Sequence, residues 1–173
     1  RAARMVSGDY YDFLRVGPTQ LGMALADISG KGISAALLMA SLQAALRSQA
    51  VLDGAASLEP AALVTRLTLH LFLNTSQDRY ATFFYAVYDT VTRTLRYTNA
   101  GHWPPLYIVG ERVQQLEEGG MVVGLFDDCT FTQGTIQVEP GSVLVAYSDG
   151  LVEPENVYGE EFGRRRLREV ALR

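Results

Sequence analysis

The sequence has one cysteine, one lysine and two histidines among its 173 residues. The single cysteine, Cys129, excludes a disulfide framework within the chain and a zinc site built from several cysteines. The two histidines, His70 and His102, lie far apart in the sequence, which argues against zinc catalysis. If the protein binds a metal, we therefore expect oxygen ligands and a hard cation.

The sequence also lacks an excess of positive charge and any long hydrophobic run. Fifteen basic residues against nineteen acidic ones give a net charge of −4, which argues against binding of nucleic acid through a basic surface. No apolar run approaches the roughly 18 residues of a membrane-spanning helix. We expect a soluble, cytoplasmic protein. Residues 1–173 are predicted to form a single domain of a longer, multidomain protein.

The stretch from Leu21 to Ala36, LGMALADISGKGISAA, combines features of a ligand site. An apolar run reaches one carboxylate at Asp27, glycines follow, and a helical pattern then starts. A strand that delivers an aspartate to a glycine turn is one way to build a cation or phosphate site. An ordinary junction between strand and helix, with a solvated Asp27, is the alternative.

The segment before this stretch brings in a second carboxylate. Tyr10 to Val16 has the composition of a strand, and Gly17-Pro18 turns it back, so we predict an antiparallel pair with Leu21 to Asp27. Asp9 then lies beside Asp27 at one edge of the sheet. Two carboxylates this close are costly unless a cation or a proton lies between them.

The rest of the chain predicts an α+β fold. We expect a helix at Ile33–Leu52, with Leu37, Ala40, Ala44 and Val51 or Leu52 on one stripe. A second helix is expected at about Ser57–Asn74, with Leu63, Leu67 and Leu71 on one stripe, and a third from about Phe162. Hairpins are predicted for Tyr80–Asp89 with Thr94–Asn99, for Leu106–Val109 with Arg112–Leu116, and for Thr132–Val138 with Val143–Tyr147. Runs of antiparallel strands beside helices exclude a doubly wound parallel sheet.

A third carboxylate, Asp149, repeats the arrangement at Asp27. We predict a buried apolar strand, Ser142–Tyr147, with the acid at its tip in the sequence SDG. Three such acids indicate a site for Mg²⁺ or Mn²⁺, in which a shared aspartate can bridge two ions.

Six segments in this order, SGDYYD, ADISGKG, NAGHWPP, GGMVVGL, YSDGLVE and GEEFG, resemble those of bacterial PPM-type protein serine/threonine phosphatases of the SpoIIE-like branch. The resemblance implies an antiparallel β-sandwich flanked by helices, with two Mn²⁺ or Mg²⁺ ions and attack of a metal-bound water on phosphoserine or phosphothreonine. It implies a phosphorylated anti-sigma-factor antagonist as the substrate. An upstream sensor or regulatory domain and a possible homodimer are further expectations.

The resemblance also implies roles for single residues. Asp27 matches the bridging ligand, the Ile28 carbonyl and Asp9 match ligands of the second ion, and Asp149 matches a ligand of the first. Asp12 is a candidate for an indirect contact through water.

Three further residues have an open role. Lys31 lies near the position of a histidine in related phosphatases, and we predict an electrostatic role towards phosphate; a solvated loop lysine is the alternative. His102 is predicted to form structural hydrogen bonds rather than to act in catalysis. Trp103 is predicted to lie exposed on a turn, where it could contact a partner.

The sequence departs from the family pattern at its C-terminal end, and this leaves a function other than catalysis as an alternative. The Asp-Asp-x-Thr element that usually ends these domains has no counterpart, since no aspartate follows Asp149. We therefore expect the C-terminal strand to be absent from residues 1–173. A degenerate, catalytically weak domain that acts as a regulatory interaction module is the alternative to an enzyme. A P-loop nucleotide site is excluded because Lys31 is followed by Gly32 rather than by serine or threonine.

Overall fold

Two β-sheets stack face to face between two layers of helices. The computed structural model describes residues 8–30, 32–52, 59–75 and 79–173, and for 51 and 52 the backbone only. The elements are β1 (Tyr10–Arg15), β2 (Gln20–Ile28), α1 (Ile33–Leu52), α2 (Pro60–Asn74), β3 (Ala81–Asp89), β4 (Thr94–Ala100), β5 (Leu106–Val109), β6 (Arg112–Gln115), β7 (Gly119–Gly120), β8 (Gly134–Gln137), β9 (Val143–Val145), α3 (Asp149–Val152) and α4 (Gly163–Ala171).

The first sheet has six strands. Five of them follow the order β1-β2-β3-β4-β7, and the sixth, β8, also pairs with β4. Its pairs are antiparallel except for the short parallel contact between β4 and β7. The second sheet has the order β6-β5-β9 and is wholly antiparallel. The predicted α+β sandwich with antiparallel sheets is therefore confirmed.

Three hydrophobic clusters fill the spaces between the four layers. Strand β3 alternates between two of them: Phe83 and Tyr85 face the helices α1 and α2, whereas Phe84 and Ala86 face the second sheet. On β5, Tyr107 joins the cluster between the sheets. Its neighbours Leu106 and Ile108 pack on the other side, against Val152 and Leu167 of α3 and α4. This alternation follows from the two-residue period of a strand.

Helix α1 buries a different face from the predicted one. Leu37 is 67% exposed, whereas Leu38 and Leu42 are buried against the first sheet. Because nearly every position of α1 is apolar or small, periodicity alone does not show which face is buried. In α2 the stripe of Leu63, Leu67 and Leu71 is buried as predicted. This helix begins at Pro60; its expected start, Ser57, lies outside the described residues.

The hairpin predicted between Thr132–Val138 and Val143–Tyr147 is wrong. Strand β8 pairs with β4 of the first sheet, and β9 pairs with β5 of the second. The turn between them, closed by a hydrogen bond from the Ser142 amide to the Glu139 carbonyl (3.1 Å), carries the chain from one sheet to the other. Gly141 takes a φ of +78° in this turn. A local turn signal does not reveal this, since β8 and β9 each find a partner strand from elsewhere in the chain.

The predicted strand before Asp149 is also shorter and less buried than expected. Strand β9 covers Val143–Val145, and Val143 is 53% exposed. Asp149 does not stand at a strand tip but begins the short helix α3, with Ser148 as its N-cap residue. Of the two acids predicted at the tip of a strand, Asp27 alone has this placement, at the penultimate position of β2.

None of the helices in the described parts of the chain combines the length and the apolar character needed to cross a membrane.

Candidate metal centre

Three aspartates from distant parts of the chain meet at one end of the sandwich. Asp9, Asp27 and Asp149 each offer a carboxylate oxygen, and these oxygens lie within 4.8 Å of one another. Asp9 is exposed, and Asp27 and Asp149 are partly buried. We call these three residues the aspartate cluster.

The pairing of β1 with β2 explains why Asp9 meets Asp27. Tyr10 lies opposite Ala26, so Asp9, one residue earlier, comes next to Asp27. Gly8 makes the approach possible, since a Cβ atom at this position would lie 2.9 Å from the Ile28 carbonyl oxygen. That carbonyl is the predicted backbone ligand, and it therefore lies directly beside the chain that carries Asp9.

Asp149 reaches the cluster from the second sheet. It follows β9 after a short connection and is the first residue of α3. The Ser148 hydroxyl lies 3.4 Å from Asp9 Oδ2 and donates a hydrogen bond to it. This contact joins the start of β1 to the start of α3, so two carboxylates separated by 140 residues in the chain are held together.

Burial and mutual repulsion raise the pKa values of two aspartates in the cluster. Burial, together with the charges of Asp149, Asp9 and Glu153, raises the pKa of Asp27 to about 6. Burial and the charge of Asp149 also raise the pKa of Asp9, against a lowering contribution from the Ser148 hydroxyl. Carboxylates in this state favour a proton or a cation between them.

His102 links the two halves of the site. Burial lowers its pKa to about 4, so the ring is neutral at pH 7. Its Nε2 lies 3.1 Å from the Tyr147 carbonyl oxygen, which can only accept, so Nε2 carries the proton. Nδ1 then accepts a hydrogen bond from the Thr82 hydroxyl at 2.7 Å. Both ring nitrogens are thereby occupied, which confirms the predicted structural role.

The pocket beside the aspartate cluster has a volume of about 410 Å³ and a mixed lining. Besides Asp27 and Asp149, the side chains of Thr82, His102, Trp103 and Glu153 contribute to it. Neither Thr82 nor Glu153 was expected at the site. For Glu153 a signal was present, since it follows Asp149 by four residues, and residues four apart share one face of a helical turn. For Thr82 the sequence holds no such signal.

Asp12 does not join the cluster. It points to the opposite face of β1, where it accepts hydrogen bonds from the Tyr10 hydroxyl at 2.6 Å and from Arg47 Nε and NH2, both at 2.8 Å. The expectation of an indirect contact with the metal is therefore wrong. The two-residue period of the strand is the reason, because Tyr10 and Asp12 share one face and Asp9 lies on the other.

Trp103 is not the exposed turn residue that the sequence predicted. It is partly buried, packs against the third hydrophobic cluster and carries the Arg164 guanidinium over its ring at 5.1 Å. Lys31 lies outside the described residues, so its placement stays a prediction. Asp127 and Asp128 are exposed and do not belong to the aspartate cluster.

Comparison with known proteins shows which family the chain belongs to. Residues 17–173 match the family described as Stage II sporulation protein E (SpoIIE). The chain belongs to the SpoIIE family. It is 31% identical over 153 residues to the phosphoserine phosphatase RsbU of Bacillus subtilis, with 87% of the chain and 44% of RsbU covered. It spans less than half the length of the curated relatives it matches.

Solved structures confirm the PP2C-like fold of this SpoIIE-family chain. The SiaA-PP2C domain of Pseudomonas aeruginosa superimposes with a TM-score of 0.83 at 22% identity, covering 96% of the chain and 66% of that domain. RsbX, solved in complex with magnesium, superimposes with a TM-score of 0.68 at 18% identity, covering 90% of the chain and 72% of RsbX.

The donor set of this SpoIIE-family site fits a divalent cation. Its three carboxylates are oxygen donors, the ligands that Mg²⁺ and Mn²⁺ prefer. Burial and the repulsion among these carboxylates raise the pKa values of Asp9 and Asp27, and a bound cation would relieve that repulsion.

Proposed function

We propose that this chain hydrolyses phosphoserine or phosphothreonine on a regulatory protein, with two Mn²⁺ or Mg²⁺ ions as cofactors. The observation that carries the proposal is the aspartate cluster, in which three carboxylates converge beside an open pocket despite their mutual repulsion. Similarity to the phosphoserine phosphatase RsbU supports the substrate class. A phosphorylated anti-sigma-factor antagonist is the proposed substrate, and an upstream regulatory domain and a homodimer are proposed for the full-length protein.

In this proposal the two ions would share Asp27 as a ligand, Asp9 and the Ile28 carbonyl would hold one of them, and Asp149 would hold the other. Such ions supply positive charge to the phosphoryl group and lower the pKa of a water molecule. Water adds across the P–O ester bond, which releases inorganic phosphate and the free hydroxyl of the substrate. Lys31 is proposed to attract the phosphate by its charge.

The remaining residues of the pocket position the cluster. Thr82 lies opposite Asp27 in the pairing of β2 with β3, and its hydroxyl fixes His102. His102 in turn holds the Tyr147 carbonyl, two residues before Asp149. Glu153 adds a fourth negative charge near Asp27 and could complete the ligand set of the ions. Retention of these acids speaks against a regulatory module that binds no metal.

The test is phosphate release from a phosphoserine peptide in the presence of Mn²⁺. Asp27→Asn and Asp149→Asn are each expected to lower kcat by more than about a hundredfold, because loss of an outer partner of a metal site alone costs 10- to 100-fold. Asp127→Asn makes the same chemical change at an exposed loop residue and is expected to leave kcat unchanged. Turnover at the wild-type rate in either cluster variant would exclude the proposed centre.

Calorimetry provides a second readout that does not depend on activity. The wild-type protein, freed of metal with a chelator, is expected to bind Mn²⁺, and Asp27→Asn is expected to weaken this binding. A protein that binds no Mn²⁺ even at millimolar concentration would instead be the degenerate module.

A further inference from the structure

A second cleft lies on the outer face of the second sheet, beside helix α4. It has a volume of about 620 Å³, and its walls include Leu106 of β5, Tyr147, and three arginines of α4, Arg164, Arg165 and Arg168. We call it the arginine cleft. Glu117 is the one carboxylate in its lining.

Helix α4 concentrates positive charge in a chain that is acidic as a whole. Four of its nine residues are arginines, whereas the net charge of the sequence is −4. Arg165 forms an ion pair with Glu169, and Arg166 forms one with Glu160. Within the described ranges, neither Arg164 nor Arg168 has a carboxylate at ion-pair distance.

Arg164 and Arg168 can act on the same ligand. They are four residues apart on the helix, so their side chains lie on one face, and both line the arginine cleft. A pair of guanidinium groups without carboxylate partners favours a carboxylate or phosphate as ligand, since these offer two acceptor oxygens to the planar fork of donors.

The Tyr147 hydroxyl is a second, independent sign of a missing ligand. Tyr147 is only 4% exposed, and its hydroxyl has no hydrogen-bond partner among the residues that the structure describes. Buried polar groups are nearly always hydrogen-bonded. An acceptor atom seated in the arginine cleft would provide the bond that this hydroxyl lacks.

The arginine cleft and the metal pocket share a wall. Trp103 lines the metal pocket, and its ring lies under Arg164, which lines the cleft. Tyr147 lines the cleft, while its carbonyl oxygen binds His102 in the metal pocket. The two cavities are therefore neighbours, with Trp103 and Tyr147 between them.

We propose that the arginine cleft binds acidic side chains of the protein substrate while the phosphorylated residue occupies the metal pocket. The proposal rests on the phosphatase activity proposed above and names the class of substrate: a phosphoserine segment with glutamate or aspartate close to the phosphorylated residue. Arg165 is paired with Glu169, so Arg164 and Arg168, against the single Glu117, give the cleft the positive charge that such a segment requires.

The experiment compares two phosphoserine peptides in Mn²⁺, one flanked by glutamates and one by glutamines. The wild-type protein is expected to have a lower KM for the acidic peptide. The double variant Arg164→Gln/Arg168→Gln is expected to raise this KM about three- to tenfold, the effect of losing two exposed charge contacts. It should leave KM for the neutral peptide and the turnover of p-nitrophenyl phosphate unchanged. Arg166→Gln removes one charge from the same helix outside the cleft and is the control matched to Arg168→Gln alone.

Arg168→Gln alone is a second variant that does not disturb the stacking of Arg164 on Trp103, and it is expected to raise the KM for the acidic peptide in the same direction. Equal KM values of the wild-type protein for both peptides would overturn the proposal. So would an effect of Arg166→Gln as large as that of the double variant, or loss of p-nitrophenyl phosphate turnover in the double variant.

Binding without turnover separates failure of the cleft from failure of the proposed function. Trp103 is the only tryptophan of the sequence, so its fluorescence reports on ligands beside Arg164. Titration with the acidic peptide lacking phosphate is expected to change this fluorescence in the wild-type protein and less in the double variant. If no phosphatase activity is found but this binding persists, the proposed function is wrong, whereas binding of acidic segments by the arginine cleft is supported. Binding to anionic vesicles in place of the peptide would overturn the proposal.

Discussion

The Thr82 hydroxyl donates a hydrogen bond of 2.7 Å to Nδ1 of His102, which fixes the histidine that joins the two sheets at the aspartate cluster. Thr82 lies opposite Asp27 on the first sheet. His102 also holds the carbonyl of Tyr147, which follows β9 of the second sheet. The distance between Asp27 and Asp149 therefore depends on a neutral, buried histidine that itself has no free ring nitrogen.

Replacing His102 with glutamine should reduce both stability and metal affinity. The amide cannot reproduce both ring contacts, so the Thr82 hydroxyl or the Tyr147 carbonyl loses its partner, at a cost of about 1–3 kcal/mol in the free energy of unfolding. Mn²⁺ affinity of the folded variant, measured by calorimetry, should also fall, because Asp149 is no longer held against Asp27. His70→Gln, a change on α2 away from the cluster, should alter neither quantity. Unchanged Mn²⁺ affinity in His102→Gln would show that the histidine supports only the fold.

A side chain at position 8 should weaken metal binding. The Cβ atom of Gly8→Ala would lie 2.9 Å from the Ile28 carbonyl oxygen, and backbone atoms can relieve this contact only by moving Asp9 or Ile28. We expect Mn²⁺ affinity to fall about tenfold, the scale of a disturbed partner in a metal site. Gly150→Ala is the control beside the same cluster, because its Cβ would meet Ser148 and Asp9 only at 3.7 and 3.8 Å. If both variants bind Mn²⁺ equally well, the close approach at Gly8 is not required.

Local patterns predicted the half of the site that lies within one hairpin. Strand composition and the turn at Gly17-Pro18 were enough to place Asp9 beside Asp27, since register follows from the length of a hairpin. The other half depends on how two sheets stack, which no short segment encodes. Thr82 was missed because its place opposite Asp27 depends on the register of β2 with β3, which are far apart in the chain. Glu153 was missed although its spacing of four residues from Asp149 offered a signal. The wrong pairing of β8 with β9 has its cause in the stacking of the sheets, because Glu139-Pro140-Gly141 forms a turn whether the strands around it pair or separate.

Asp12 and Arg47 should stabilise the fold without serving the metal. Burial alone would raise the pKa of Asp12, but the hydrogen bonds from Tyr10 and Arg47 outweigh it and hold the pKa below its ordinary value of 3.8. Asp12→Asn is expected to lower the free energy of unfolding at pH 7 by about 1–2 kcal/mol, a modest loss because the Arg47 side chain is 55% exposed.

The stability conferred by Asp12 has a defined pH dependence. Because the pKa is lowered in the folded state, the contribution is present at neutral pH and is lost as the pH falls below 3.8. Urea unfolding of the wild-type protein and Asp12→Asn should therefore differ at pH 7 and converge in acid. Calorimetry should find the same Mn²⁺ affinity in both proteins, and a weaker affinity in the variant would place Asp12 at the metal centre after all.

Asp27, unlike Asp12, should lower the free energy of unfolding of the metal-free protein at neutral pH. Burial and the neighbouring carboxylates raise its pKa from 3.8 to about 6, so between these values the folded state binds more protons than the unfolded state. The free energy of unfolding then falls as the pH rises through this window. Asp27→Asn removes the repelled charge, so in a chelator the variant should become progressively more stable than the wild-type protein from about pH 4 to about pH 6, with a constant difference above. Urea unfolding across this range measures the difference, and Asp127→Asn should show no such trend.

Saturating Mn²⁺ should make the wild-type protein more stable than Asp27→Asn at pH 7, because only the wild-type cluster then has its charge balanced. A variant that is less stable than the wild-type protein in the chelator would mean that Asp27 supports the fold instead of straining it.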